Sequence, residues 1–276
     1  MEDLGLANYR KGLPGLLRPG KMLRTRLAGR IAEAGGCEAS PAVIVDACAA
    51  TELVHTASLC HDDVVDGAVL RRAQPTLWKA STPSAAVLVG DMLLCMAVEV
   101  VRETEGGRLL GPLVAKTREV CLAEVEQELV LRGRRTSEAA CISVARRKTG
   151  PLFAFCASAC AGADEGYVSA LEEAGYRIGT AYQLADDWVD VACTEERSGK
   201  TLGTDAARRK RTLAHAAGRD GRALFRHVAG LCRAAGECLA DWPDARSGVD
   251  RFLELDVAPL FERLDERLGL CARMAI

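Results

Sequence analysis

The sequence predicts an all-α protein, a single bundle of long, mostly antiparallel helices with its ligand site between them. Three observations predict it. Apolar residues make up 49% of the chain but aromatics only 4%, so the core must be Ala, Leu and Val, which favours helices over strands. Nearly every segment repeats its apolar positions every 3.6 residues and ends in helix punctuation. No strand-type alternation of polar and apolar residues runs through it.

Taken in order, a short helix is expected over 20–34. Ser40 and Pro41 supply the cap and first-turn proline of a long helix that ends near Asp66. Thr82 and Pro83 open another, to about Glu103, and Gly106-Gly107 separates it from 108–132. Thr136 is expected to cap 137–161, and the stretch from Gly162 to Gly166 breaks the chain before 167–193. Further helices are expected at 205–217, 219–240 and 246–270. No linker rich in Pro, Gly or Ser divides the chain, so one domain over 1–276 is expected.

A formal net charge of −2 gives no basic field to collect nucleic acid. The start, Met1-Glu2-Asp3, is acidic, and the first apolar run is broken by Gly and Pro, unlike a signal peptide. The most apolar stretch, 84–101, carries Asp91 and Glu99, so no stable membrane insertion is expected. The 12 cysteines form no Cys-x-x-Cys pair. Most, such as Cys48, Cys60, Cys95 and Cys121, fall in apolar helical stretches, and Cys156 and Cys160 are one turn apart. They read as small buried thiols of a cytoplasmic protein.

Two segments carry the chemistry: Asp62-Asp63-Val64-Val65-Asp66 and Asp186-Asp187-Trp188-Val189-Asp190. Each is Asp-Asp-x-x-Asp at the end of a long apolar helix, with first and last carboxylates one turn apart on one face. Three carboxylates repel one another and make a poor core. They suit hard divalent cations, since magnesium takes one or two carboxylates and fills its octahedron with water and phosphate oxygens. One such triplet alone would read equally as a solvated acidic helix end. Cations accompany both: Lys21 and Arg24, the pair Arg71-Arg72, Lys148, Lys200 and Lys210, with His55, Thr149 and Gln183 nearby in the pattern. Acid triplets for metal plus scattered Arg and Lys fit a substrate with two phosphates.

In this order and spacing the residues resemble the trans-isoprenyl diphosphate synthases, the family of farnesyl, geranylgeranyl and polyprenyl diphosphate synthases. The resemblance runs from about 18 to 213. It implies an isoprenoid-synthase bundle and two or three Mg2+ ions held by Asp62, Asp63, Asp66, Asp186, Asp187 and Asp190. Arg71, Lys148, Thr149, Gln183, Lys200 and Lys210 would hold the allylic diphosphate, and Lys21, Arg24, His55 and Arg72 the isopentenyl diphosphate. Asp62, Asp63, Asp186, Lys148 and Lys200 would carry catalysis. A homodimer is implied too. Glu124-x-x-Gln127 and Gly90-Asp91 are similar to recurrent family features. Ala73 stands where the family commonly has Gly after the paired arginines, and the arm before Lys21 is short for the family.

The implied reaction joins isopentenyl diphosphate head to tail to an allylic diphosphate. The growing chain would run along the helix away from Asp62, past Ser58, Ala57 and Val54. Bulky residues at the first two positions close the pocket in short-product relatives; both are small here, so products of C20 or longer are expected. An alternative floor is the helix over 83–103, through Leu94 or Met96. Two other readings remain: a class I terpene cyclase, which needs no second diphosphate site, and the regulatory subunit of a heteromeric synthase, which usually lacks an intact aspartate cluster.

Overall fold

The computed structural model describes residues 20–192, 212–214 and 221–260. The long helices fall where capping and periodicity put them. Helix α1 is Leu23–Glu33. Helix α2 runs Pro41–Asp66, with the Ser40 hydroxyl accepting from the Val43 N–H, and Gly67 closes it in the left-handed region at φ 65°. A two-stranded hairpin follows, β1 (Leu70–Arg71) and β2 (Gln74–Pro75), then the one-turn helix α3 (Leu77–Ala80). Helix α4, Pro83–Glu103, is capped by Thr82, which accepts from the Ala85 N–H at 3.1 Å.

The 3₁₀ turn Thr104–Gly107 leads to α5 (Leu110–Val125), whose last turn widens into a π-helix over Glu126–Leu131. Helices α6 (Glu138–Ser158) and α7 (Glu165–Ala192) follow. Beyond the second acidic motif lie α8 (Arg222–Glu237), α9 (Pro243–Phe252) and a second π-turn, Leu253–Val257.

The structure corrects several expectations. The hairpin at 70–75 was not expected; its two turn residues, Arg72 and Ala73, adopt φ 53° and 58°, a conformation without the usual Gly or Asn signal. The expected 108–132 helix is an α-helix and a π-helix in series. Ser137, not Thr136, caps α6, accepting from the Ala140 N–H at 3.3 Å, and α7 begins at Glu165 rather than 167. Cys95 and Cys121 are exposed rather than buried. Pro41–Asp66 and Pro83–Gly107 are long and apolar enough, by length and composition, to cross a membrane, where no such stretch was expected. In α4 the apolar residues run around the whole circumference, leaving Val87, Leu88 and Val98 exposed. Of the expected helix 205–217 only 212–214 is described, with Leu213 and Ala214 helical, and the end of 246–270 lies outside the described residues.

Two crossings position the site. On α7, a Cβ added at Gly175 or Gly179 would lie 2.5 Å from Ala154 Cα or 2.6 Å from Gly150 Cα, so α6 and α7 approach backbone to backbone. Helix α2 lies against α4 and, through Val43, Ala47, Ala50 and Val54, against Leu152 and Phe155 of α6. The largest apolar cluster joins α1, α6, α7, α8 and α9 and includes Trp188. Trp188, 2% exposed, meets the edge of Phe225 at 6.0 Å between centroids. Anchoring Trp188 in this core turns the alternate carboxylates of the same turn to the other face of α7.

Candidate active site

At the C-terminal end of α2, Asp63 is 4% exposed and Asp62 half-buried. Asp63 Oδ1 accepts from Arg71 Nε at 2.9 Å and Nη2 at 2.7 Å. Burial raises its pKa, and Arg71 pulls the other way. Asp62 is pushed up to about 7, first by burial and then by the Glu124 carboxylate, against the pull of Lys148 and Arg71.

The hairpin explains how two adjacent arginines serve different places. Arg71 ends β1, and Arg72 opens the turn in the left-handed region at φ 53°, so the chain reverses between them. Arg71 goes to Asp63; Arg72 lies against the backbone of Gly20, where an added Cβ would fall 2.3 Å from its Nη2.

From α6, Lys148 Nζ donates to Glu124 Oε1 at 2.8 Å and Gln127 Oε1 at 3.3 Å. Gln127 is buried at the start of the π-helix, and such bulges often mark functional positions. Burial opposes the Lys148 charge, but Glu124, Asp62 and Asp187 outweigh it and hold its pKa above the usual lysine value. One residue on, the Thr149 hydroxyl donates to Gln183 Oε1, and Gln183 Nε2 donates to Asp187 Oδ1 at 2.7 Å. That chain of bonds fixes which way the Gln183 amide points.

Lys148 thus feels Asp62 of the first cluster and Asp187 of the second. Arg71 does the same: burial works against its charge, while Asp63, Asp62 and Asp186 raise its pKa. The two acidic clusters face the same cations.

A second group of cations lies alongside. Arg24, half-buried, stacks on Phe153 at 5.1 Å, and Lys21 Nζ is 5.8 Å from the Tyr182 ring. Burial lowers the Arg24 pKa, with Glu52 opposing; Glu52 also accepts from the Thr25 hydroxyl at 3.2 Å. His55 is held well below 6.5, by burial and then by Arg24, Arg71 and Arg72, so it is neutral at pH 7 and can accept or donate without adding charge. Tyr182 is pushed up to about 12, by burial and Asp186, while Arg24 and Arg72 pull it down. Its phenol therefore stands between the second acidic cluster and this cation group.

Of the residues picked from sequence, the structure brings Asp62, Asp63, Asp186, Asp187, Arg71 and Lys148 into one electrostatic neighbourhood, with Thr149 and Gln183 bonded to it. Arg24, His55 and Arg72 form the adjoining group, with Lys21 beside it through Tyr182. Asp66 interacts with both Asp62 and Asp63, and Asp190 lies one turn beyond Asp186 on α7. Lys200 and Lys210 lie outside the described residues. Sequence reasoning missed Tyr182 and Glu52, single residues with no motif of their own. Ser58 is half-buried and donates to the His55 carbonyl at 2.9 Å, whereas Ala57 is wholly buried between α2 and α4 with Ala86 and Leu93. Val54 is 4% exposed, against Ala97 and Leu113 among others.

Among the described residues no three His, Cys, Asp or Glu side chains close around a ready-made metal cage. The donor set still fits magnesium. Asp62 keeps a proton-binding tendency that a nearby divalent charge would remove, and hard ions of this size complete their shells with water and phosphate oxygens.

A family model described as polyprenyl synthetase matches residues 10–222. The octaprenyl diphosphate synthase of Haemophilus influenzae is 36% identical over 198 residues, 70% of this chain and 59% of that protein. The geranylgeranyl diphosphate synthase of Mycobacterium tuberculosis is 33% identical over 201 residues, 70% of this chain and 57% of that protein. The chain thus spans less than two thirds of the length of these relatives. A polyprenyl synthase from Caulobacter crescentus, in complex with calcium and isoprenyl diphosphate, superposes with a TM-score of 0.79 at 29% identity, covering 92% of this chain and 89% of that one.

Proposed function

The chain belongs to the polyprenyl synthetase family, and from that premise we propose that it is a single-domain, magnesium-dependent prenyltransferase that condenses isopentenyl diphosphate head to tail with an allylic diphosphate. The observation that carries this reading is the sharing of Arg71 and Lys148 by both acidic clusters. Two carboxylate triplets around common cations make a site for one polyanion and its counter-ions, and a separate cation group of Lys21, Arg24 and Arg72 makes room for a second. The Caulobacter protein's complex with calcium and isoprenyl diphosphate supports the same assignment.

Two or three magnesium ions, held by Asp62, Asp63, Asp66, Asp186, Asp187 and Asp190, would neutralise charge growing on the departing diphosphate. Arg71 and Lys148 hold that anion, and Lys148 is kept charged by Glu124 until it arrives. Lys200 and Lys210 are proposed to join them. The Thr149–Gln183 bond aims the Gln183 carbonyl dipole where positive charge develops on the allylic carbon. Lys21, Arg24, Arg72 and neutral His55 orient isopentenyl diphosphate so that its double bond attacks that carbon; the proton then lost goes to the leaving diphosphate. Exclusion of water keeps the cation from becoming an alcohol.

The tail is proposed to pass Ser58 towards Val54 and give products of C20 or longer. We also propose a cytoplasmic homodimer: Leu88 is 68% and Leu129 76% exposed, and with Val98, Val114, Leu122 and Val125 they leave apolar side chains uncovered on α4, α5 and the π-turn. The test is incubation with magnesium, isopentenyl diphosphate and C5, C10 or C15 primers, with products sized after dephosphorylation. Elongation that needs isopentenyl diphosphate and falls at least about 10³-fold in Asp62→Ala and Asp186→Ala supports the reading. Near-normal turnover in both variants defeats it, as does cyclised product from the primer alone.

A further inference from the structure

Four cysteines from two distant stretches of the sequence meet where α1, α2 and α6 join, and the proposed chemistry uses none of them. Cys48 Sγ on α2 lies 3.6 Å from Cys156 Sγ on α6, and either can donate. In the 3₁₀ turn Ala159–Ala161 that follows α6, Cys160 interacts electrostatically with Cys37 in the α1–α2 connection, whose Glu38 and Ala39 N–H groups donate to the Cys160 carbonyl at 2.9 and 3.2 Å. Each pair has one half-buried thiol, Cys48 or Cys37, and one wholly buried thiol, Cys156 or Cys160. That asymmetry suits exchange: the half-buried sulfur is reachable, and its buried neighbour is held in place to resolve it.

We propose that Cys48 and Cys156 form a reversible dithiol–disulfide pair that reacts with small-molecule disulfides and sits against the arginine of the isopentenyl diphosphate group. Cys48 gives its proton to solvent, and its thiolate attacks one sulfur of the small disulfide and expels a thiolate. That thiolate takes the Cys156 proton, and the Cys156 thiolate attacks the Cys48 sulfur and expels the second thiolate, which recovers a proton from solvent. Two electrons and two protons pass from the protein pair to the small disulfide, which leaves as two thiols. A disulfide bond is about 2.05 Å long, so the two sulfurs must close by about 1.5 Å, a change side-chain rotation can supply. The hydrogen bond with Cys156 holds the Cys48 thiol below the ordinary cysteine value, against burial, with Thr25 helping, which favours Cys48 as the attacking sulfur.

The pair is coupled to the site through α1 and α6. Arg24 interacts electrostatically with Cys156 and stacks on Phe153, one turn before Cys156 on α6. Closing the bond removes the Cys156 thiol and turns its sulfur away beneath the Arg24 and Phe153 pair, which loosens the hold of Arg24 on a diphosphate. This consequence rests on the proposed role of Arg24; the disulfide itself does not.

The test uses the full chain with the exposed Cys95 and Cys121 replaced by Ser, exposed to oxidised glutathione, alkylated and mapped by peptide mass. A Cys48–Cys156 cross-linked peptide is expected, reversed by dithiothreitol and missing from both Cys48→Ser and Cys156→Ala. The KM for isopentenyl diphosphate should rise at least about threefold on oxidation, and Cys48→Ser should keep the reduced chain's value under both conditions. Recovery of Cys48 only as a glutathione adduct, or of Cys48 joined to Cys37 or Cys160, overturns the pair. A cross-link with unchanged KM overturns the coupling to Arg24. The peptide map reads the pair whether or not the chain transfers prenyl groups.

Discussion

Replacing Asp62 by Asn should abolish prenyl transfer and yet stabilise the metal-free protein. Burial and the Glu124 charge raise Asp62 from 3.8 to about 7, so the fold prefers this carboxyl protonated. At about 1.4 kcal/mol per pH unit the rise is worth about 4 kcal/mol, and roughly 2 kcal/mol once water reaching a half-buried side chain is allowed for. The folded chain binds this proton more tightly than the unfolded chain. The favourable contribution is therefore complete below about pH 4 and is lost as pH climbs to about 7. Thermal unfolding with a chelator present should show the wild-type midpoint falling relative to Asp62→Asn between about pH 4 and about 7, with the gap level above that. The variant should be ahead by roughly 4–8 °C at pH 8. Magnesium with inorganic diphosphate should narrow the gap by raising the wild-type midpoint. Parallel pH profiles, or a variant no more stable than wild type at pH 8, would refute the reasoning that Asp62 is strained for want of a cation.

Four further substitutions have outcomes set by the same structure. Ser58→Phe should shorten the product, read by sizing the dephosphorylated alcohols, whereas Ala57→Phe should lower stability by about 1–3 kcal/mol because its Cβ is already enclosed between α2 and α4. Tyr182→Phe should raise the KM for isopentenyl diphosphate roughly 3- to 10-fold with little change in kcat, since the phenol borders Arg24 and Arg72; an unchanged KM would leave only the ring's packing as its role. Ala73→Gly should stabilise the hairpin by roughly 0.5–1 kcal/mol, because Ala73 sits at φ 58°, visible as a midpoint rise of about 2 °C.

Much of this was legible in the sequence because the signals are local. Ser40-Pro41 and Thr82-Pro83 mark the starts of α2 and α4, and the four-residue spacing in each Asp-Asp-x-x-Asp places its carboxylates on one helical face. The hairpin was not legible: Arg72 and Ala73 turn left-handed without a Gly or Asn to announce it. Nor were the π-turns at 126–131 and 253–257, where one extra residue per turn barely disturbs the apolar period. The approach of Cys48 to Cys156 is set by tertiary packing across 108 residues, and spacing along the chain says nothing of it. Tyr182 and Glu52 gain meaning only from the cations the fold places beside them. The exposed apolar faces of α4 and α5 read as core because periodicity cannot tell a face that packs from one left uncovered.

The central claim is that both acidic clusters serve one metal–diphosphate site. It is tested most directly by crystals grown with Mn2+ and an unreactive thio-analogue of an allylic diphosphate, with the ions located by anomalous scattering. Ions bridging the analogue's diphosphate to carboxylates of both 62–66 and 186–190 would bear the claim out. Ions bound at one cluster alone, with the diphosphate away from Arg71 and Lys148, would contradict it.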